Sequence, residues 1–192
     1  MQRAILTRVL GLLAILLFAG CDVVGPTYTD CYDLKSQYAN EITNQVAIQL
    51  RDGMQLYTCG IGGGCLYNIR MLALSCDYYK EVDIEDAREL LVKAGILFLR
   101  TANEHEKARP YFANNPFGLK NIELRFFIAK KNGEYSHDKL SVITLIDGIL
   151  RYKVTPSLPE LITIYEETFA EAAEKLGIVL TPETGLRCEK KL

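Results

Sequence analysis

Apolar and polar positions repeat along this chain in two periods, and each period marks a type of element. Leu34, Tyr38, Ile42, Val46 and Leu50 recur every four residues, which predicts a helix over 31–52 that Gly53 ends. Ala87, Leu90, Leu91, Ala94, Leu97 and Phe98 form a second helical stripe. Asp83 stands where it can cap that helix, which is expected to run to about Glu106, short of Pro110. A third stripe, Leu161, Ile164, Tyr165, Phe169, Ala172 and Leu176, predicts a last helix from about Ser157 to Gly177. Ser157 and Glu160 have capping-box spacing at its start.

Elsewhere the period falls to two. Ile122, Leu124, Phe126 and Ile128 share one face, with Glu123 and Arg125 on the other, which predicts a strand. Leu140–Ile146 and Ile149–Val154 read as a hairpin around Asp147-Gly148, a type I′ turn signal. Met54–Cys59 and Leu66–Tyr78 read as another hairpin around Gly60-Ile61-Gly62-Gly63-Gly64. Tyr111–Lys120 is expected to be a loop around Asn114-Asn115-Pro116. Short turns force neighbouring strands to be antiparallel. The order α-β-β-α-β-β-β-α therefore predicts a two-layer α+β domain. Its antiparallel sheet is expected to have about five strands, a β-hairpin plus a three-stranded meander, covered by about three helices.

The first twenty residues follow a different logic. Arg3 and Arg8 precede Val9–Phe18, ten small or apolar residues in a row. A spanning helix needs about 20 such residues and a signal-peptide core about 7–15, so the run predicts a signal peptide. It ends Leu17-Phe18-Ala19-Gly20-Cys21, which resembles the lipobox of bacterial lipoproteins. The resemblance implies cleavage before Cys21, a diacylglyceryl group on its thiol and a fatty acid such as palmitate on its amino group. It also implies a lipid-anchored protein of the cell envelope with its domain outside the cytoplasm. The partner of Cys21 is then the lipid bilayer, and two or three acyl chains give stable anchoring. Asp22 resembles an inner-membrane retention signal, and the choice between inner and outer membrane stays open. The expected organisation is a cleaved signal peptide over 1–20, a lipidated N-terminus and tether over 21–30, and a single domain over 31–192. The mature part is faintly similar to bacterial lipoproteins without an assigned activity, which implies no mechanism.

Composition narrows the chemistry. The net charge is −2 with no long Lys/Arg run, which argues against nucleic-acid binding. Cleavage removes two arginines and no acid, leaving 172 residues with a formal charge of −4. Cys59-Gly-Ile-Gly-Gly-Gly-Cys65 lacks the last glycine of a dinucleotide fingerprint and the Gly-Lys-Ser/Thr ending of a phosphate loop, so no cofactor is expected. With Cys21 lipidated, Cys31, Cys59, Cys65, Cys76 and Cys188 remain, an odd number. If Cys59 and Cys65 face each other across the hairpin, their Cα atoms fall near 5.5 Å, so a disulfide between them is a candidate. The spacing is not that of a zinc site, and no metal is expected. His105 lies between two glutamates at a helix end, His137 precedes Asp138 in a polar segment, and no catalytic motif accompanies either.

Tyr111, Phe112 and Phe117 flank the Asn-Asn-Pro segment. They are candidates for a partner-binding loop, and packing beneath that loop is the other reading. The function expected from all this is an envelope interaction or assembly module with an envelope protein as partner. The runner-up is a binding module for a small molecule, lipid or peptidoglycan fragment. An envelope hydrolase comes third, since nothing in the sequence recommends an enzyme.

Overall fold

The computed structural model describes residues 29–180 apart from 131, 133, 135–138 and 158, and side chains from residue 34 onward. The signal peptide, the lipobox and all but the end of the tether therefore lie outside the described residues, as do His137 and Cys188.

Helix α1 spans Thr29–Met54 and buries Ile42, Val46 and Leu50. It runs past Gly53 because Gln55, at φ 59°, supplies the left-handed residue that ends it. The N–H groups of Gln55 and Leu56 close onto the carbonyls of Arg51 and Leu50. Strands β1 (Tyr57–Gly64) and β2 (Met71–Tyr78) follow and pair antiparallel. Helix α2 spans Ile84–Glu104, and the Asp83 carboxylate accepts the N–H of Asp86 at 2.9 Å, as its sequence predicts. Three strands follow: β3 (Ile122–Ile128), β4 (Leu140–Ile146) and β5 (Ile149–Val154). Asp147 and Gly148 join the last two with φ values of 54° and 74°, the signs a type I′ turn requires. The described chain ends with β6 (Ile162–Thr168) and the short helix α3 (Phe169–Lys175).

Among the described residues the architecture is α+β: one open six-stranded sheet in the order β1-β2-β3-β4-β5-β6, with three α-helices. Three features differ from the sequence reading. The sheet is mixed, because β2 and β3 are parallel. They are joined through the 21-residue α2, and a connection of that length carries the chain back to start a strand in the same direction. The glycine segment is not a loop but most of β1, and the turn comes later, between Gly64 and Met71. There the Arg70 N–H bonds the Gly64 carbonyl, and the Lys35 ammonium of α1 donates to the carbonyls of Leu66 and Tyr67 at 3.4 and 2.9 Å. The predicted last helix is a helix only at its end, Phe169–Lys175, and Ile162–Thr168 before it is a strand. Leu161, Ile164 and Tyr165 are exposed, while Phe169 and Ala172 are buried in α3. The working capping box belongs to Thr168 and Glu171, and Ser157 with Glu160 forms only a turn.

Residues pair across the sheet so that Leu72, Leu74, Cys76, Leu124, Phe126, Ile143, Leu145, Leu150 and Tyr152 fill the buried face. Ser75, Arg125 and Arg151 point the other way. Helix α2 packs most tightly at Gly95. A Cβ there would stand 2.7 Å from Phe169 Cε2 and 2.9 Å from Leu145 Cδ2.

This contact predicts opposite signs for two glycine substitutions in helices. Gly95→Ala is expected to destabilise by about 1–3 kcal/mol, since overpacking outweighs the gain in helix propensity. Gly53→Ala meets nothing within 4 Å and is expected to stabilise by up to about 1 kcal/mol. Urea unfolding followed by circular dichroism reads both, and a stabilised Gly95→Ala variant would refute the close packing.

Candidate functional site

The residues singled out by the sequence do not converge. Cys21 lies outside the described residues. Phe112 and Phe117 are buried in the core with ring centroids 4.6 Å apart, and Tyr111 is half-buried against Tyr38. The partner-binding reading of this loop is corrected: two of its three rings are spent on the core. Asn103 holds the loop there, donating to the Phe117 carbonyl and accepting its N–H at 2.9 and 2.8 Å. The Cys59–Cys65 bridge is also corrected. Both thiols are free: Cys59 lies within β1 and Cys65 just past its end, and the extended strand from 59 to 64 alone spans about 16 Å, against a disulfide limit of about 7 Å. Burial first, then the nearby Asp77 carboxylate, raises the Cys59 thiol above its ordinary range. Burial likewise pushes Cys76 up to about 11. Neither is a ready thiolate nucleophile at neutral pH. His105 bonds the Glu41 carboxylate at 3.1 Å and accepts the Ala108 N–H, so it ties α2 to α1.

Two features were not read from the sequence. The first is a buried ion cluster. Arg88 of α2 donates from Nε to Glu167 Oε1 of β6 at 2.7 Å, and the Tyr152 hydroxyl of β5 donates to the same oxygen at 2.6 Å. Lys175 of α3 donates to Oε2 at 2.6 Å and to the Tyr165 hydroxyl at 2.8 Å. Arg88 also pairs with Glu85. Burial alone would raise the Glu167 carboxyl, but hydrogen bonds from Lys175, Tyr152 and Arg88 outweigh it and hold the group below its usual 4.5. Burial and the same carboxylate push the Tyr152 phenol upward. Glu167 is thus an ionised acceptor engaged by three donors. A groove of about 420 Å³ beside it is lined by Ile84, Glu85, Arg88, Tyr165 and Lys175. One signal for the cluster was legible: Arg88 stands inside the apolar arc between Ala87 and Leu91.

The second feature is the outer edge of β1. Its eight residues, Tyr-Thr-Cys-Gly-Ile-Gly-Gly-Gly, carry no charge. Among the described residues the strand pairs only with β2, and no hydrogen bond reaches its other edge. Ile61 is 50% exposed, and Leu66 and Tyr67 in the following turn are 66% and 80% exposed. A groove of about 210 Å³ lies between β1 and α1, walled by Ser36, Asn40 and Thr43 on the helix and by Ile61, Gly62 and Gly63 on the strand. Gly63 is forced, since a Cβ there would meet the Met71 carbonyl at 2.7 Å. Gly62 and Gly64 are not: a Cβ meets Ala73 at an ordinary 3.7 Å in one case and nothing in the other. Glycine weakens a strand interior and marks places where another backbone comes close. Gly62 and Gly64 are thus bare positions that the fold itself does not demand, on the outer edge of the sheet.

No family model, curated protein or solved structure matches the chain. Among the described residues there is no group of three metal-ligating side chains, and no helix is long and apolar enough to cross a membrane.

Two predictions follow from the geometry. Glu167 contributes stability that is present above pH 4.5 and lost as pH falls through its lower folded value. Glu167→Gln is expected to lower stability at pH 7 by about 3 kcal/mol, the low end for breaking a buried pair, because Lys175 can turn to water. Its urea midpoint is expected to change less than that of the wild type between pH 6 and pH 3, and an equally steep acid loss would refute the assignment. On β1, Gly63→Ala is expected to destabilise, whereas Gly62→Ala and Gly64→Ala are neutral or stabilising by up to about 1 kcal/mol. A loss of more than that at Gly62 or Gly64 would mean that the fold does need those glycines.

Proposed function

We propose that this chain is a lipid-anchored envelope protein whose domain is an interaction or assembly module, and that β1 is its docking edge. The single observation that carries the reading is the uncharged and glycine-bare edge of β1, unpaired among the described residues, with Ile61, Leu66 and Tyr67 exposed beside it. Native proteins blunt a free edge with charges, prolines, bulges or a covering element, and of these guards β1 carries a single bulge, at Cys59. Residues Tyr57–Gly64 contain no charge and no proline, so strand addition by a partner is the use that fits them. The Phe18-Ala19-Gly20-Cys21 motif supplies the anchor and the compartment. Lipidated Cys21 would hold the domain at a membrane surface outside the cytoplasm, where partner and docking edge are confined to one layer.

The test has two arms. Cys21→Ser is expected to leave the membrane fraction and to lose incorporation of labelled palmitate. A photo-crosslinking amino acid at position 61 in the anchored protein is expected to give a discrete adduct, and the same group at Lys93, on the exposed side of α2, none. No adduct at 61, or equal adducts at both positions, would refute the docking edge. A Cys21→Ser protein that stays membrane-bound would refute the anchor.

A further inference from the structure

We infer that the partner of the β1 edge is the β1 edge of a second copy of this chain, docked antiparallel about a two-fold axis at Ile61. The inference rests on the interaction reading above and names its partner.

The strand's own pattern carries it. The bulge at Cys59 makes Thr58 pair with Cys76 and Gly60 with Ser75. Tyr57, Gly60, Gly62 and Gly64 therefore point to one face, and Thr58, Ile61 and Gly63 to the helix-covered face. Directly opposed residues of an antiparallel pair share a face. A two-fold axis through Ile61 satisfies this for the whole strand. Ile61 meets Ile61 of the second copy, and Gly60 meets Gly62. Once each Cys59 bulge is passed, Thr58 meets Gly63 and Tyr57 meets Gly64. Apart from the isoleucines on the axis, every side chain in the ladder stands opposite a glycine, and every pair agrees in face. Gly64, which the fold leaves free to carry a side chain, is bare opposite the largest residue of the strand.

Charge agrees with the antiparallel sense. Asp77 lies beside Tyr57 in the register, whereas Arg70 precedes Met71, the partner of Gly64. Lys35 stands at the Gly64 end as well, on the carbonyls of Leu66 and Tyr67. Antiparallel docking brings the acidic end of one copy to the basic end of the other, and parallel docking would set like ends together. The strand itself sets no charge against its twin. An eight-residue edge is small beside the roughly 1,200–2,000 Å² of a stable interface. The pair is therefore weak between untethered copies and strong where anchors confine both to one membrane.

Disulfide trapping in the membrane-anchored full chain tests this, with Cys59 and Cys65 replaced by Ser. Diamide takes up the two protons and two electrons as the Sγ–Sγ bond forms. Ile61→Cys is expected to give a covalent dimer, since facing Cβ atoms stand about 4.5–5.5 Å apart. Tyr57→Cys combined with Gly64→Cys is expected to do the same, because about 23 Å of strand separates those two positions within one copy. Each cysteine of that pair alone, and Ile164→Cys on the opposite sheet edge, are expected to stay monomeric. If Ile61→Cys and the Tyr57/Gly64 double variant both stay monomeric, the two-copy ladder is overturned. If the position-61 photo-adduct nonetheless forms with another protein, the docking edge stands and its partner is a foreign strand. Equal trapping at Ile164 would overturn the inference as mere collision.

Discussion

One carboxylate holds the second half of this domain together. Glu167 is the only buried side chain of β6, and it is reached by Arg88 from α2, Tyr152 from β5 and Lys175 from α3. An ordinary strand attaches to its core through apolar side chains. This one turns Ile162 and Ile164 outward and sends a charge in. Burying that charge without partners would cost several kcal/mol, so all three donors have to be in place for β6 to lie where it does. Their positions fix α2 across β5, and they bring the chain to Phe169, which closes on Gly95 two residues after Glu167. The network and the glycine contact therefore form one device, polar at one end and tightly apolar at the other.

Local signals were legible and non-local ones were not. The Asp83 cap, the α2 stripe, the β3 alternation and the Asp147-Gly148 turn each concern residues that touch within a few positions, and all four appear in the structure. The parallel pairing of β2 with β3 depends on where α2 packs, which no window of sequence contains. β6 misled the helical reading because Leu161, Ile164, Tyr165 and Phe169 have helical spacing, yet only Phe169 is buried. The β-branched run Ile162-Thr163-Ile164 was the better guide, and Thr168-x-x-Glu171 marks the true helix start. Of the candidate site, the glycine segment stood out in the sequence for its composition. Its conformation did not, because glycine suggests a loop until the ladder to β2 shows a strand.

The two edges of the sheet solve the same problem differently. At β6, Glu166 pairs with Arg151 of β5 at 3.3 Å, Lys175 sits over Tyr165, and Glu167 points inward. Those charges make addition of a further strand there costly in desolvation, although Ile162 and Ile164 are exposed. β1 has none of them. A bulge alone breaks its regularity, and a two-fold ladder absorbs that bulge symmetrically.

An unguarded edge is a hazard only if its next partner is unspecified. Open-ended strand addition needs an edge that accepts one copy and presents another. A β1–β1 pair accepts one copy and presents none, because each copy uses up its only uncharged edge and leaves β6, with its charges, outside. In the proposed pair, closed symmetry would turn the least protected strand of the sheet into a contact that stops at two. The glycines would serve both ends of that proposed design: they leave little side-chain surface for stable pairing in dilute solution, and they would let two backbones meet where a lipid anchor at Cys21 had already brought two copies together.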